Sequence, residues 1–423
     1  MAPLSVALDE EVPSKEESYS SRNAQYWKRN LIVCVFGSFT SLVSLTLLLP
    51  FLPIFVEELG VKQRAAIVEW SGLAFGATFL ATGLTAPLWG HLADRFGRRP
   101  MLIRAAIGMA AIMPLIGLAH SVYELVLLRL AAGLVGGYSS ASMLLIATQT
   151  PSQRAGWALG ILSTGALAGN LIGPLVGGIL PGLIGIRHTF FAAGGMIAVA
   201  MIATILLVRE DFVPAPKTKT RNLSAGIGSS TPTRITITSM LATAMLVLLA
   251  NMSIEPIITV CLQALHTAPS RIVLDAGLVM AASAFGSVLT AAPIGRVADR
   301  IGGWKVIVYY LIATGLVLIP QAFVKVWWQL AVLRFVMGMT LAGLLPSIAK
   351  MIRHSVAEGT SGKVLGYSQS AQFSGQVLGP LLGAFIGAHL GMRAVFVMTS
   401  GMLLLGAGLN GWAYRFVSGT SEG

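Results

Sequence analysis

The 423-residue chain is 55% hydrophobic and only 11% charged, against about a quarter charged in soluble domains. That much apolar surface cannot be hidden in a soluble core of this length, so the composition points to a membrane. The formal net charge of +12 does not indicate a nucleic-acid partner, because the basic residues sit at the ends of apolar segments rather than on one patch.

The first 26 residues are polar and mixed in charge, with no apolar stretch of the signal-peptide kind, and read as a disordered tail. Twelve apolar stretches follow, at 30–56, 68–90, 101–120, 123–147, 156–180, 187–208, 236–263, 271–294, 304–323, 328–350, 363–388 and 393–415. Each has about the 20 residues a helix needs to cross a bilayer. Helices rather than strands are expected, because in lipid each segment must satisfy its own backbone groups. The stretch 209–234, rich in Pro, Ser, Thr and basic residues, reads as a flexible linker. The expected organisation is all-α: a tail (1–26), a six-helix bundle (27–208), the linker, a second six-helix bundle (235–416) and a short tail (417–423).

Most of the 29 Lys and Arg residues fall on the side that carries both termini, among them Arg95, Arg98, Arg99, Arg154, Lys217, Lys219 and Lys350. Lys62, Arg64, Arg187, Arg271, Lys325 and Arg393 lie on the other side. That bias places both termini in the cytoplasm. Cys34 and Cys261 fall toward opposite faces, so no disulfide is expected between them. Trp27, Trp70, Trp304, Trp327, Trp328 and Trp412 lie near segment ends, as an aromatic belt does.

The halves repeat. Gly90-His-Leu-Ala-Asp94-Arg95-Phe-Gly97 aligns with Gly295-Arg-Val-Ala-Asp299-Arg300-Ile-Gly302, and in the same register Arg129 meets Arg334 and Gly133 meets Gly338. One residue out of that register, Gly160, Gly173-Pro174 and Gly177 meet Gly366, Gly379-Pro380 and Gly383. Repeats of this size imply a pseudo-twofold axis along the membrane normal, with a pathway between the halves.

The run Gly90–Pro100, with its weaker copy in the second half, resembles the signature loop of the major facilitator superfamily. The strings Trp27-Lys-Arg-Asn-Leu-Ile-Val, Leu145-Ile-Ala-Thr-Gln and Gly156-Trp-Ala-Leu-Gly-Ile-Leu-Ser-Thr-Gly are similar to its twelve-helix drug–proton antiporters of the MdtG type. The resemblance implies two six-helix bundles, alternating access, a bacterial inner membrane and no cofactor beyond a proton gradient. It also implies that Gly90, Asp94, Arg95, Gly97, Arg98, Asp299 and Arg300 form a conformational latch. Asp94 would then face the positive N-terminal end of a helix starting near Gly362. The alternative is that these charges only set topology. An acidic partner at the end of segment 4 is typical of the family. Here that place holds Gln149, so the charge network is expected to be reduced or relocated.

Segment 5 places Gly165, Gly169, Gly173 and Gly177 four residues apart beside Pro174. Small residues at this spacing make a smooth packing face, and Pro174 allows bending. The pattern resembles the Gly-Pro motif of antiporters in the superfamily, which favours export over uptake. Arg129 resembles the buried arginine implicated in proton coupling, with a purely structural bond to helix carbonyls as the alternative.

Glu255, followed by Pro256, lies inside segment 7. An ionisable group within a membrane segment is expensive and marks a functional site. Desolvation favours the neutral form of a carboxylic acid, as a proton carrier requires. Proton coupling is therefore expected at Glu255 and Arg129, unless Glu255 lies in water at the outer mouth. Gln369, Gln372 and Gln376 share one helical face. With Asn251, Tyr138, Ser139 and Arg334 they are the expected substrate cavity. The expected partners are a small amphipathic substrate, protons and the bilayer, with the chain a monomer. A carrier of one natural metabolite (a sugar, metallophore or organic anion) remains open, as does a non-transporting sensor. No Walker lysine, metal-ligand spacing or nucleophile–base set is visible, so neither ATP drive nor enzymatic activity is expected.

Overall fold

In the computed structural model, residues 15–212, 231–265, 268–356 and 358–419 are described. Most of the expected linker, and both chain ends, lie outside them. The described residues form sixteen α-helices: α1 (Lys15–Thr46), α2 (Leu52–Glu58), α3 (Arg64–Phe96), α4 (Arg98–Gly117), α5 (Val122–Val135), α6 (Tyr138–Gln149), α7 (Ser152–Ile184), α8 (Ile186–Leu207), α9 (Thr231–Ile254), α10 (Ile258–Ala264), α11 (Ile272–Ile301), α12 (Gly303–Gln321), α13 (Trp327–Leu341), α14 (Leu344–Ser355), α15 (Glu358–His389) and α16 (Met392–Gly419). The expected N-terminal tail is thus helical from Lys15, where Lys, Glu and Arg supply good helix formers.

Among the described residues, 11 stretches are long and apolar enough to cross a membrane. The twelfth crossing is α15, whose 32 residues carry glycines and glutamines that lower its hydropathy. The chain is a multi-pass membrane protein of twelve spans. We call the face where the sixth span ends and the seventh begins the linker face, and the opposite one the distal face.

Spans 1, 4, 7 and 10 are each broken rather than continuous. The breaks fall between α1 and α2 at Pro50, between α5 and α6 at Gly136-Gly137, at the 3-10 turn Glu255–Ile257, and between α13 and α14 at Gly343. Proline removes a backbone donor, and Gly137 takes φ of +104°, which a side chain would resist. The four interrupted spans are the repeat-related ones. Broken helices at equivalent places in two halves mark where a transporter builds its site.

The halves meet along α3–α15 and α7–α11. A Cβ added to Gly76 on α3 would stand 3.3 Å from the Val377 carbonyl on α15, and one on Gly83 would stand 3.2 Å from Phe373. Farther along those faces, toward the linker face, a Cβ on Gly90 or Gly366 would meet nothing within 4 Å among the described residues. On the distal side, Thr259 donates to the Pro50 carbonyl at 2.8 Å and Arg64 to the Val260 carbonyl at 3.1 Å. The halves are therefore sealed on the distal face and separated on the linker face.

Candidate functional site

The Gly90–Pro100 loop adopts its turn through Gly97, at φ of +95°. A Cβ there would also lie 3.0 Å from Glu210 and 3.1 Å from the Phe212 ring, so glycine is required twice over. Glu210, just past α8, accepts from the backbone N–H groups of Arg98 at 2.8 Å and Arg99 at 2.7 Å. The first N–H groups of a helix lack internal partners and carry the positive end of its dipole, so the carboxylate neutralises both. The Arg98 guanidinium adds a contact at 3.9 Å. An acidic partner of this loop thus lies at the end of span 6. At the end of span 4, Gln149 accepts from Asn30 at 2.6 Å, and Asn30 donates to the Arg209 carbonyl at 2.7 Å. A neutral amide cluster replaces the charge.

Asp94 and Arg95 are exposed. A Cβ on Gly362 would meet nothing within 4 Å, and among the described residues the docking expected between Asp94 and that helix is not made, the linker face being open. Arg300 is exposed at the end of α11. Asp299 lies on the same helix, outside the residues whose side chains are described.

The small residues of α7 face α1. A Cβ on Gly165 would sit 2.8 Å from Val35, and one on Gly169 2.8 Å from Leu42. Gly173 would run into the Thr46 hydroxyl and Gly177 into the Leu47 carbonyl. Pro174 instead meets the other half, its carbonyl against Gly277 on α11. On α15, Gly375, Gly379 and Gly383 repeat this arrangement against α9, at Met245, Leu249 and Ser253.

That packing orients the glutamines. On a helical projection, Gln369 and Gln376 occupy the sector between the α9-facing glycines and the α3-facing Phe373, and Gln372 lies at the edge of the glycine face. The opposite sector carries Leu378, Leu382 and Phe385, all exposed apolar side chains suited to lipid. The glutamines therefore turn toward the space between the halves. Gln369 is exposed there, and Gln372 and Gln376 are partly so. The same projection of α7 turns Asn170 inward, exposed, opposite Gln376 in the repeat. Sequence reading passed over Asn170, although alignment of Gly173-Pro174 with Gly379-Pro380 pairs it with Gln376.

Glu255 sits in the 3-10 turn that interrupts span 7. Asn251, one helical turn earlier, donates to its Oε1 at 3.0 Å. The arginine whose charge reaches it is Arg334, without a direct ion pair. Arg334 is fully buried and approaches Met337 Sδ at 3.5 Å. It thus supports Glu255 instead of lining an open cavity. Arg129, expected to act with Glu255, is placed elsewhere. It is fully buried against α3, with Nε donating to the Ala74 carbonyl at 3.3 Å and the guanidinium 5.7 Å from the Phe75 ring centroid. Among the described residues, both terminal nitrogens lack a hydrogen-bond partner. Tyr138 is also corrected. Gly37 leaves room for its ring, and its hydroxyl meets Thr204 at 2.7 Å, so it is buried within the first bundle. Ser139 beside it is half-buried.

Two pseudo-symmetric bundles, four interrupted spans and a one-sided opening define a membrane transporter built from two repeated halves. The Major Facilitator Superfamily model matches residues 34–243 and 240–422. The multidrug resistance protein MdtG of Salmonella paratyphi C is 39% identical over 381 residues, covering 90% of this chain and 94% of that protein. MdtG of Citrobacter koseri is 40% identical over the same shares. The chain belongs to the major facilitator superfamily, is similar to MdtG proteins, and is a transport protein rather than an enzyme. Solved structures share the fold. A bacterial homolog of the human lysosomal transporter Spinster, inward-facing and unoccupied, gives a TM-score of 0.70 at 18% identity, covering 92% of this chain and 97% of that one. A mutant form of the nucleoside transporter NupG gives 0.71 at 15% identity, covering 90% and 100%.

Proposed function

We propose that the protein exports small amphipathic compounds, including drugs, across a bacterial inner membrane by alternating access and in exchange for protons, with both termini and the linker face in the cytoplasm. The observation that carries this reading is Glu255 in the break of span 7, held by Asn251 and under the charge of Arg334. A carboxylate at a helix break, within the electrostatic reach of a buried cation, can exist in two protonation states with different interactions. A ligand shifts a conformational equilibrium only through differential affinity for its states, and a proton is such a ligand here. The inward-turned amides Asn170, Gln369, Gln372 and Gln376 would bind polar groups of the cargo, and neighbouring apolar faces its body. The names of the MdtG relatives and the basic residues concentrated on the linker face support drug efflux and this orientation. The glycine face of α7 supports antiport by letting α7 pivot between α1 and α11.

The test is efflux of a fluorescent lipophilic cation from energised cells, with and without a protonophore, in wild type and Glu255→Gln. The reading expects efflux that collapses with the protonophore and is lost in the variant. Protonophore-sensitive efflux unchanged in Glu255→Gln moves the proton site elsewhere. No efflux by wild type favours a carrier of one metabolite.

A further inference from the structure

A groove of about 1210 Å³ runs between α1 and α7 on the linker-face half of the first bundle. It does not belong to the pathway between the halves. On α1, Val35, Leu42 and Thr46 face α7, while Asn30, Cys34 and Gly37 face α6 and α8. The remaining exposed sector carries Lys28, Ile32 and Phe36. On α7 the groove side holds Arg154, Trp157 and Ile161, on the sector opposite the inward-turned Asn170. The groove therefore opens to lipid. Ile32 is 71% exposed and Trp157 60% exposed within it.

Its chemistry is graded along its length. Lys28 and Arg154 stand at the linker-face end, exposed and with no carboxylate against either among the described residues. Trp27 and Trp157 bridge the two helices at the same level, edge to face at 6.3 Å. Below them the walls are almost wholly apolar, down to Phe39 and Ala168. From Trp27 to Phe39 the helix rises about 18 Å, close to half of the ~30 Å hydrocarbon core. A charged head, an interfacial aromatic level and an apolar trough one leaflet deep match a phospholipid.

We propose that this groove binds one anionic phospholipid of the leaflet at the linker face, its phosphate held by Lys28 and Arg154 and an acyl chain lying along Ile32, Phe36 and Ile161. If that face is cytoplasmic, as proposed above, the negative surface potential of that leaflet favours such an occupant. The bound lipid would cover the outer side of the α1–α7 contact, where the glycine face packs.

The test uses purified full-length protein in mild detergent, titrated with dioleoyl phosphatidylglycerol or dioleoyl phosphatidylcholine and read by native mass spectrometry. Wild type should retain one phosphatidylglycerol in preference to phosphatidylcholine. Lys28→Gln with Arg154→Gln should bind phosphatidylglycerol about thirtyfold more weakly, from two surface cations. Ile32→Trp, which fills the trough and keeps both cations, should exclude the lipid. These three residues are exposed, so the variants should remain monodisperse. Equal retention of the two lipids by wild type, or a phosphatidylglycerol preference that survives both variants, would overturn the proposal. So would one-for-one displacement of the lipid by a lipophilic cation, which would make the groove a cargo site.

Discussion

Glu210 Oε2 accepts the backbone N–H of Arg99 at 2.7 Å, joining the end of span 6 to the first turn of span 3. The same oxygen takes the Arg98 N–H, so one carboxylate caps α4 and fixes the turn at Gly97. Removing such a cap costs ~1 kcal/mol. Glu210→Ala should lower the thermal midpoint of the purified protein and speed hydrogen exchange at the amides of Arg98 and Arg99. Glu210→Gln, which keeps an acceptor, should lie between. Exchange in Glu210→Ala equal to wild type would mean that the bond does not hold the turn.

The glycines of α7 should separate by position. Gly177 has the Leu47 carbonyl where a Cβ would go, and Gly173 has the Thr46 hydroxyl. Overpacking of this kind costs about 1–3 kcal/mol, so Gly177→Ala should reduce the yield of monodisperse protein and impair transport. Gly160 on the same helix has nothing within 4 Å. Gly160→Ala should instead stabilise α7, by up to about 1 kcal/mol of helix propensity. Thermal unfolding of the two variants side by side tests the opposite signs.

These positions also mark what was legible in the sequence. Twelve spans, the repeated halves and the small-residue face of α7 follow from hydropathy and from spacing along one helix, where each residue's neighbours are fixed by 3.6-residue geometry. The partner of a buried charge depends on how separate helices rotate against one another. Arg129 and Arg334 are equivalent in the repeat, yet only Arg334 reaches Glu255, because Arg129 packs on Ala74 and Phe75. Tyr138 has the composition of a polar lining residue, but Gly37 and Thr204 enclose it. The absence of an acid at Gln149 was visible, but its replacement by Glu210 depends on where α8 ends.

The relation between Glu255 and Arg334 predicts a compensation. Arg334→Met leaves the carboxylate without its cation, and Glu255→Gln leaves a buried cation without its acid. The two charges interact without direct contact, and coupled charges removed together cost less than the sum of their separate removals. The double variant should therefore be more stable than the sum of the singles by about 1–3 kcal/mol. It should still fail in proton-driven efflux, since no titratable group remains at the break. Additive thermal shifts would show that the two residues act independently, and recovered efflux would remove Glu255 from the coupling step.

The two native cysteines report the distal seal without added labels. Cys34 is buried within the first bundle, next to Ser142 on α6. Cys261 is buried on α10 beside Arg64 of the other half, next to the bonds from Thr259 to Pro50 and from Arg64 to Val260. On the alternating-access mechanism proposed above, that seam parts when the linker face closes, and a conformation's reactivity scales with its population. A membrane-permeant maleimide should therefore leave both cysteines slow in the state described. Cross-linking the linker-face ends of α3 and α15 shut should speed labelling of Cys261 and leave Cys34 unchanged, since its neighbours move with it. Equal acceleration at both would indicate loosening of the whole protein. No change at Cys261 would show that the distal opening does not pass between α10 and α3.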